Sequence, residues 1–213
     1  MDGASQSARR KEWQAEKGPV DDTVWYHGTS SQNVDAFDLS KSGQSQSHKK
    51  SSLPGVSLAT GKGYASVYGQ NVIPVYVRAS KILDLTDLDQ HVRDPIWNRL
   101  REAGVKTTRS AAVPAYNGKD YLTRTYEYLD AGGARLAKQI QDAGYDAIKY
   151  VEPANGTTLH VSDPTNIRRT DATFDPSQSG SSKLLAGVSG LGGVGLISAA
   201  ATMPKDEKKK PPR

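Results

Sequence analysis

Two runs of β-prone residues, Tyr145 to Val151 and Thr157 to Val161, flank Pro153-Ala154-Asn155-Gly156, and no other feature constrains the fold as much. Asn and Gly accept the left-handed backbone that a tight return needs, and Pro fixes the approach to it. A stretch with apolar residues near helical spacing, Leu129, Leu136 and Ile140 within Tyr126 to Ala143, leads into the first run. It stops at Ala143-Gly144, a good helix end. A helix feeding an antiparallel hairpin is not a βαβ crossover, so the pattern points to an α+β fold.

The rest of the chain agrees. Val24 to His27, Gly55 to Thr60, Val72 to Val77, Ile82 to Leu85 and Ile167 to Arg169 read as further short strands. Pro74 marks an edge or a strand start, because it brings no N–H to a ladder. Lys62 to Gly69 and His91 to Ala103 read as short helices, and a further helix is expected around Ala8 to Glu16. Gly-Val-Ser-Gly-Leu-Gly-Gly-Val-Gly, from Gly187, is no dinucleotide fingerprint: no strand precedes it and no acidic residue follows at the required distance.

Composition sorts the chain into three parts. Residues 1–22 are a polar lead-in without the apolar core of a secretory signal. Residues 23–176 carry the apolar periodicity and form the expected domain. Residues 177–213 are Ser/Gly-rich, with an uncharged Gly/Ala-rich stretch at 184–203 before a basic end. That stretch is long enough to cross a bilayer, although its glycines weaken it as a helix; a flexible or packed tail is the other reading. The formal net charge of +5 sits largely in Arg9-Arg10-Lys11 and Lys208-Lys209-Lys210. It suits DNA, lipid head groups or plain solvation. Ser40 to Ser52 reads as a mobile polar loop. With no cysteine, disulfides, thiolate metal sites and a Cys nucleophile are excluded. Four histidines without metal-ligand spacing leave no expected metal.

Four segments carry chemistry in a recognisable order: Tyr26-His27-Gly28-Thr29; Gly55-Val56-Ser57-Leu58-Ala59-Thr60 with Ala65 and Tyr68; Ala143-Gly144-Tyr145-Asp146-Ala147-Ile148; and Val161-Ser162-Asp163-Pro164 with Ile167-Arg168. In that order they resemble the ADP-ribosyltransferase fold of the His-Tyr-Glu branch, which includes diphtheria toxin and the poly(ADP-ribose) polymerases. The last two segments are most similar to the domains found in bacteriophage virion and polyvalent proteins. The resemblance covers about Val24 to Pro176 and implies split antiparallel sheets with short helices.

It also implies roles. NAD would be the substrate, without a metal. His27 would meet a ribose hydroxyl, the Gly28 backbone the carboxamide, and Tyr68 the nicotinamide ring, with Thr29 and Ser57 lining the same site. The family's catalytic Glu falls on Thr158, and Ser57 stands where an aromatic is usual. Glu152, across the hairpin, is the carboxylate able to swing in; its other reading is a solvated hairpin charge. Tyr68, four residues from Tyr64, reads equally as a packing residue. Asp146 is expected to bond local backbone, and Arg168 and Arg169 to be surface charges. Three functions follow. One is a phage transferase, carried in the virion and delivered to the host cytoplasm or envelope to modify a host protein. Another is an inactive structural or ejection component, multimeric in the virion, whose tail contacts membrane, DNA or other subunits. The third is an NAD-binding or toxin-like module without transfer activity.

Overall fold

The computed structural model describes residues 3–41, 53–88, 95–106, 121–152 and 156–185. Seven strands form one mixed sheet: β1 Trp25–Thr29, β2 Val56–Ala59, β3 Asn71–Val77, β4 Ile82–Asp84, β5 Ala147–Glu152, β6 Gly156–Val161 and β7 Ile167–Arg169. Their order is β4-β5-β6-β2-β1-β3-β7. The helices are α1 Gly3–Ala15, α2 Lys62–Ala65, α3 Pro95–Glu102 and α4 Tyr121–Asp142. A 3₁₀ turn, Ser66–Tyr68, continues α2. The architecture is the α+β one expected. The tail at 186–213, and with it most of the 184–203 stretch, lies outside the described residues, as does 42–52 of the polar loop.

The expected hairpin is β5–β6, antiparallel from Ala147↔Val161 to Glu152↔Gly156. All pairs are antiparallel except β4–β5, which runs parallel. β1 and β2 touch through a single pair, Tyr26↔Ala59, whereas β1–β3 continues to Thr29↔Asn71. The sheet is therefore split into β4-β5-β6-β2 and β1-β3-β7, and β1 has no β2 partner beyond Tyr26.

Alternation assigns the two faces. Trp25, Val56, Leu58, Val75, Leu159, Val161 and Ile167 bury one face in a single cluster, which Leu184 joins from beyond residue 176. On the other face, Ile148 and Tyr150 pack with Leu100, Leu129, Leu136 and Ile140 of α3 and α4. Gly133, at φ 52°, kinks α4 midway. Over β3 and β7, Trp13 of α1 packs with Ala172 and Phe174. The fold thus draws in Trp13 and Leu184 from either side of 23–176.

Two expectations are corrected. Pro74 is not at an edge, because β3 lies between β1 and β7. The Thr170 N–H donates to the Pro74 carbonyl at 3.1 Å. A strand residue's nitrogen and carbonyl point to the same side, so the missing Pro74 N–H falls where β7 has ended. Arg168 is no surface charge: it is 1% exposed. Its guanidinium donates to the carbonyls of Thr165, Ile167, Gln178 and Ser179. It also lies over the Trp13 ring, as Arg78 does. Burial, and then the charge of Arg78, bring its pKa down to about 10, so it stays protonated at neutral pH.

Candidate active site

The site lies on the helix-bearing face, where the split meets the hairpin end of β5 and β6. Thr158 pairs with Ala59 on one side and Tyr150 on the other, and Glu152 pairs with Gly156 one step further. All share a face, so Glu152 reaches back along the hairpin. Its Oε1 accepts from Thr158 Oγ1 at 3.1 Å. Its Oε2 accepts from the hydroxyl of Tyr68 at 3.1 Å and, at closer range, from that of Tyr64. The two tyrosines are one helical turn apart, with rings edge to face at 5.3 Å between centroids and hydroxyls 2.5 Å apart. Burial first, then the hydrogen bond to Glu152, push the Tyr64 phenol far above its ordinary range. It is a fixed donor at any working pH.

Gly28 explains how α2 comes so close. A Cβ there would sit 1.7 Å from the Ala65 carbonyl oxygen. The glycine therefore admits the helix backbone to the split; ligand access was the reason expected from sequence.

His27 is on the opposite face by alternation, its ring edge to face with Phe37 at 4.7 Å. Its Nδ1 contacts the Ser57 carbonyl at 3.0 Å across the split. A carbonyl only accepts, so Nδ1 carries the proton, and Nε2 of the neutral ring is an acceptor. Burial lowers the His27 pKa, which keeps the ring neutral at pH 7. The structure brings Tyr68, Thr158 and Glu152 together with Tyr64 and does not bring the His27 ring to them. Ser57 joins the two sides: its carbonyl faces His27, and its hydroxyl lies 3.1 Å from His160 Nδ1. Thr29 ends β1 with its hydroxyl accepting from the Ser31 N–H.

Sequence reasoning noted Tyr64 only as the neighbour of Tyr68 and His160 only as sharing the face of Thr158, and gave neither a site role. Tyr64 had a signal, its spacing of four from Tyr68. His160 had one too, since alternation places it beside Thr158. Asp146 behaves as expected, accepting from Ser80 N–H at 2.6 Å and its hydroxyl at 2.5 Å. A groove of 460 Å³ lined by Tyr145, Asp146, Ser162 and Asp163 sits at the opposite end of β5 and β6 from Glu152. Among the described residues no cluster of three His, Asp or Glu could hold a metal. Among them, too, no helix is long and apolar enough to cross a membrane.

A crystal structure of an anti-CRISPR protein matches 71% of this chain and 99% of its own at 16% identity, with a TM-score of 0.35, too loose a likeness to carry an argument. No curated protein matches. Residues 21–178 match the family described as ADP-ribosyltransferase in polyvalent proteins, so the chain belongs to that family.

Proposed function

We propose that this protein cleaves the nicotinamide–ribose bond of NAD and transfers ADP-ribose to an acceptor, with Glu152 supplying the carboxylate that the family carries at the position of Thr158. One observation carries the reading: Glu152 Oε1 lies 3.1 Å from Thr158 Oγ1. A carboxylate from the neighbouring strand thus fills the place where the side chain at 158 falls short.

The chemistry needs little else. As the C1′–N bond lengthens, the electron pair leaves with nicotinamide and positive charge develops on the ribose. A fixed carboxylate stabilises that charge more than the ground state, an effect of roughly 3–4 kcal/mol for one well-placed group. Tyr64, Tyr68 and Thr158 hold Glu152 before substrate arrives, so little reorganisation is left to the reaction. Tyr68, 39% exposed, offers a ring face for nicotinamide. The β1 edge left unpaired beyond Tyr26 offers backbone groups beside it. His27 Nε2 accepts from a hydroxyl reaching the far side of the split.

A second reading is a domain of this fold without transferase activity. Thr158 in place of Glu and the His27 ring on the other face favour it. Incubation with labelled NAD and host lysate separates the two. The first expects label transfer that Glu152→Gln and His27→Ala both reduce. Absence of transfer by the wild type favours the second; transfer that neither substitution reduces contradicts the first as drawn.

We further propose that the protein is a bacteriophage virion component, delivered to the host to modify a host protein. The similarity of the strand segments around Gly144 and Asp163 to phage domains supports this, as does membership in a family of ADP-ribosyltransferase domains described from polyvalent proteins. The basic tail is proposed to contact membrane, DNA or other subunits. Flotation with liposomes, full chain against a chain ending at Leu185, which keeps Leu184 in the core, tests the membrane arm; equal flotation removes it.

A further inference from the structure

Ser57 is exposed, yet its hydroxyl is held by a buried histidine. His160 is 3% exposed and contacts two groups: Ser57 Oγ through Nδ1 at 3.1 Å and the Pro54 carbonyl through Nε2 at 3.0 Å. The Pro54 carbonyl cannot donate, so Nε2 carries the proton. In the neutral ring Nδ1 is then a bare acceptor, and the Ser57 O–H must be the donor. The arrangement has the logic of a serine nucleophile, its base, and a third group that fixes the tautomer of the base.

The loop is shaped around this imidazole. Gly55 has φ +150°, and a Cβ there would lie 2.2 Å from His160 Nε2. Any side chain at 55 would displace the ring from Pro54. Ser57 also faces the right way. It pairs with His160 as Ala59 pairs with Thr158, so Ser57 and Thr158 share the helix-bearing face one pair apart. That is about 7 Å along the strand, within the span of a ribose held at Glu152.

We propose that Ser57 is an acceptor for ADP-ribose within the protein's own site, with His160 as the base that receives its proton. The inference rests on the NAD reading above. Ser57 Oγ attacks C1′ as the C1′–N bond breaks. The bonding pair leaves with neutral nicotinamide, a C1′–Oγ bond forms, and the Ser57 proton passes to His160 Nδ1 and then to solvent. No oxidant or further reactant is needed. The product is a serine O-glycoside that fills the site and ends turnover. His160 is a positioning and proton-accepting residue; general-base help of this kind contributes roughly 10²–10⁴-fold.

The test uses the full chain with NAD alone. Released nicotinamide is measured in the same tube in which peptides are mapped by mass spectrometry. The expected result is nicotinamide release together with one ADP-ribose on the peptide containing Ser57. Ser57→Ala removes that adduct. His160→Gln, checked for folding by its thermal midpoint, slows adduct formation at least 10-fold, while water takes C1′ in place of Ser57 and nicotinamide release continues. Nicotinamide release with the Ser57 peptide unmodified overturns the inference and leaves the NAD reading standing. No release by the wild type overturns both. An adduct that forms equally fast in His160→Gln overturns the role of the histidine.

Discussion

Glu152 and Thr158 face one another within the β5–β6 hairpin, Oε1 to Oγ1 at 3.1 Å, so a carboxylate from β5 occupies the space in front of a β6 hydroxyl. The register that places Glu152 opposite Gly156 makes this possible, because the glycine leaves the cross-strand position empty for the Glu152 side chain to lean along β6.

Thr158→Val keeps the shape at 158 and removes the hydroxyl. Glu152 Oε1 then loses a donor in a half-buried setting. A cost of about 1 kcal/mol is expected, seen as a fall of roughly 2–4 °C in thermal midpoint for a chain of this size. NAD cleavage falls as well, since the carboxylate is less fixed. A differential scanning experiment beside a nicotinamide-release assay measures both.

Tyr64 should not titrate in the ordinary tyrosine range. Its folded pKa lies above its unfolded one, so its contribution to stability is complete below about pH 10 and is lost only as pH climbs beyond. Ultraviolet titration of wild type against Tyr64→Phe tests this. The two curves should superimpose up to pH 11, because the phenol that was removed was silent there.

His27 and His160 both have folded pKa values below 6.5, in each case chiefly through burial. The unfolded chain takes up protons there that the folded chain refuses. Stability is therefore full above about pH 6.5 and falls as pH drops toward the folded values. Urea midpoints measured from pH 7.5 to 5 should show this decline, and His160→Gln should make it shallower.

Gly28→Ala is expected to be among the most damaging single-methyl additions. A Cβ 1.7 Å from the Ala65 carbonyl oxygen meets backbone, which cannot turn aside, so α2 must move. The cost should exceed about 2 kcal/mol, and fluorescence of the Tyr64–Tyr68 pair should change with it. A glycine needed only for ligand approach would leave the free protein unaltered.

Much of the fold was legible because its signals are local. The hairpin turn, the helix stop at Ala143-Gly144 and the β-branched residues of β3 each lie within a few residues. The approach of Glu152 to Thr158 was readable for the same reason, the two being six residues apart across one turn. The rest depended on contacts distant in sequence. Arg168 reads as a surface charge until Trp13 arrives from α1 and the Gln178 and Ser179 carbonyls from the far end. The bond between Ser57 and His160 spans 103 positions and required knowing that β2 pairs with β6. The side on which His27 falls followed from alternation once Tyr26 was known to pair with Ala59.

The central claim is that Glu152 serves as the catalytic carboxylate. The most direct test is the rate of nicotinamide release from NAD by the wild type and by Glu152→Gln, which keeps the size of the side chain and removes its charge. With thermal midpoints within a few degrees of each other, the account predicts a loss of about 10²-fold or more. Release by Glu152→Gln within threefold of the wild-type rate would contradict it.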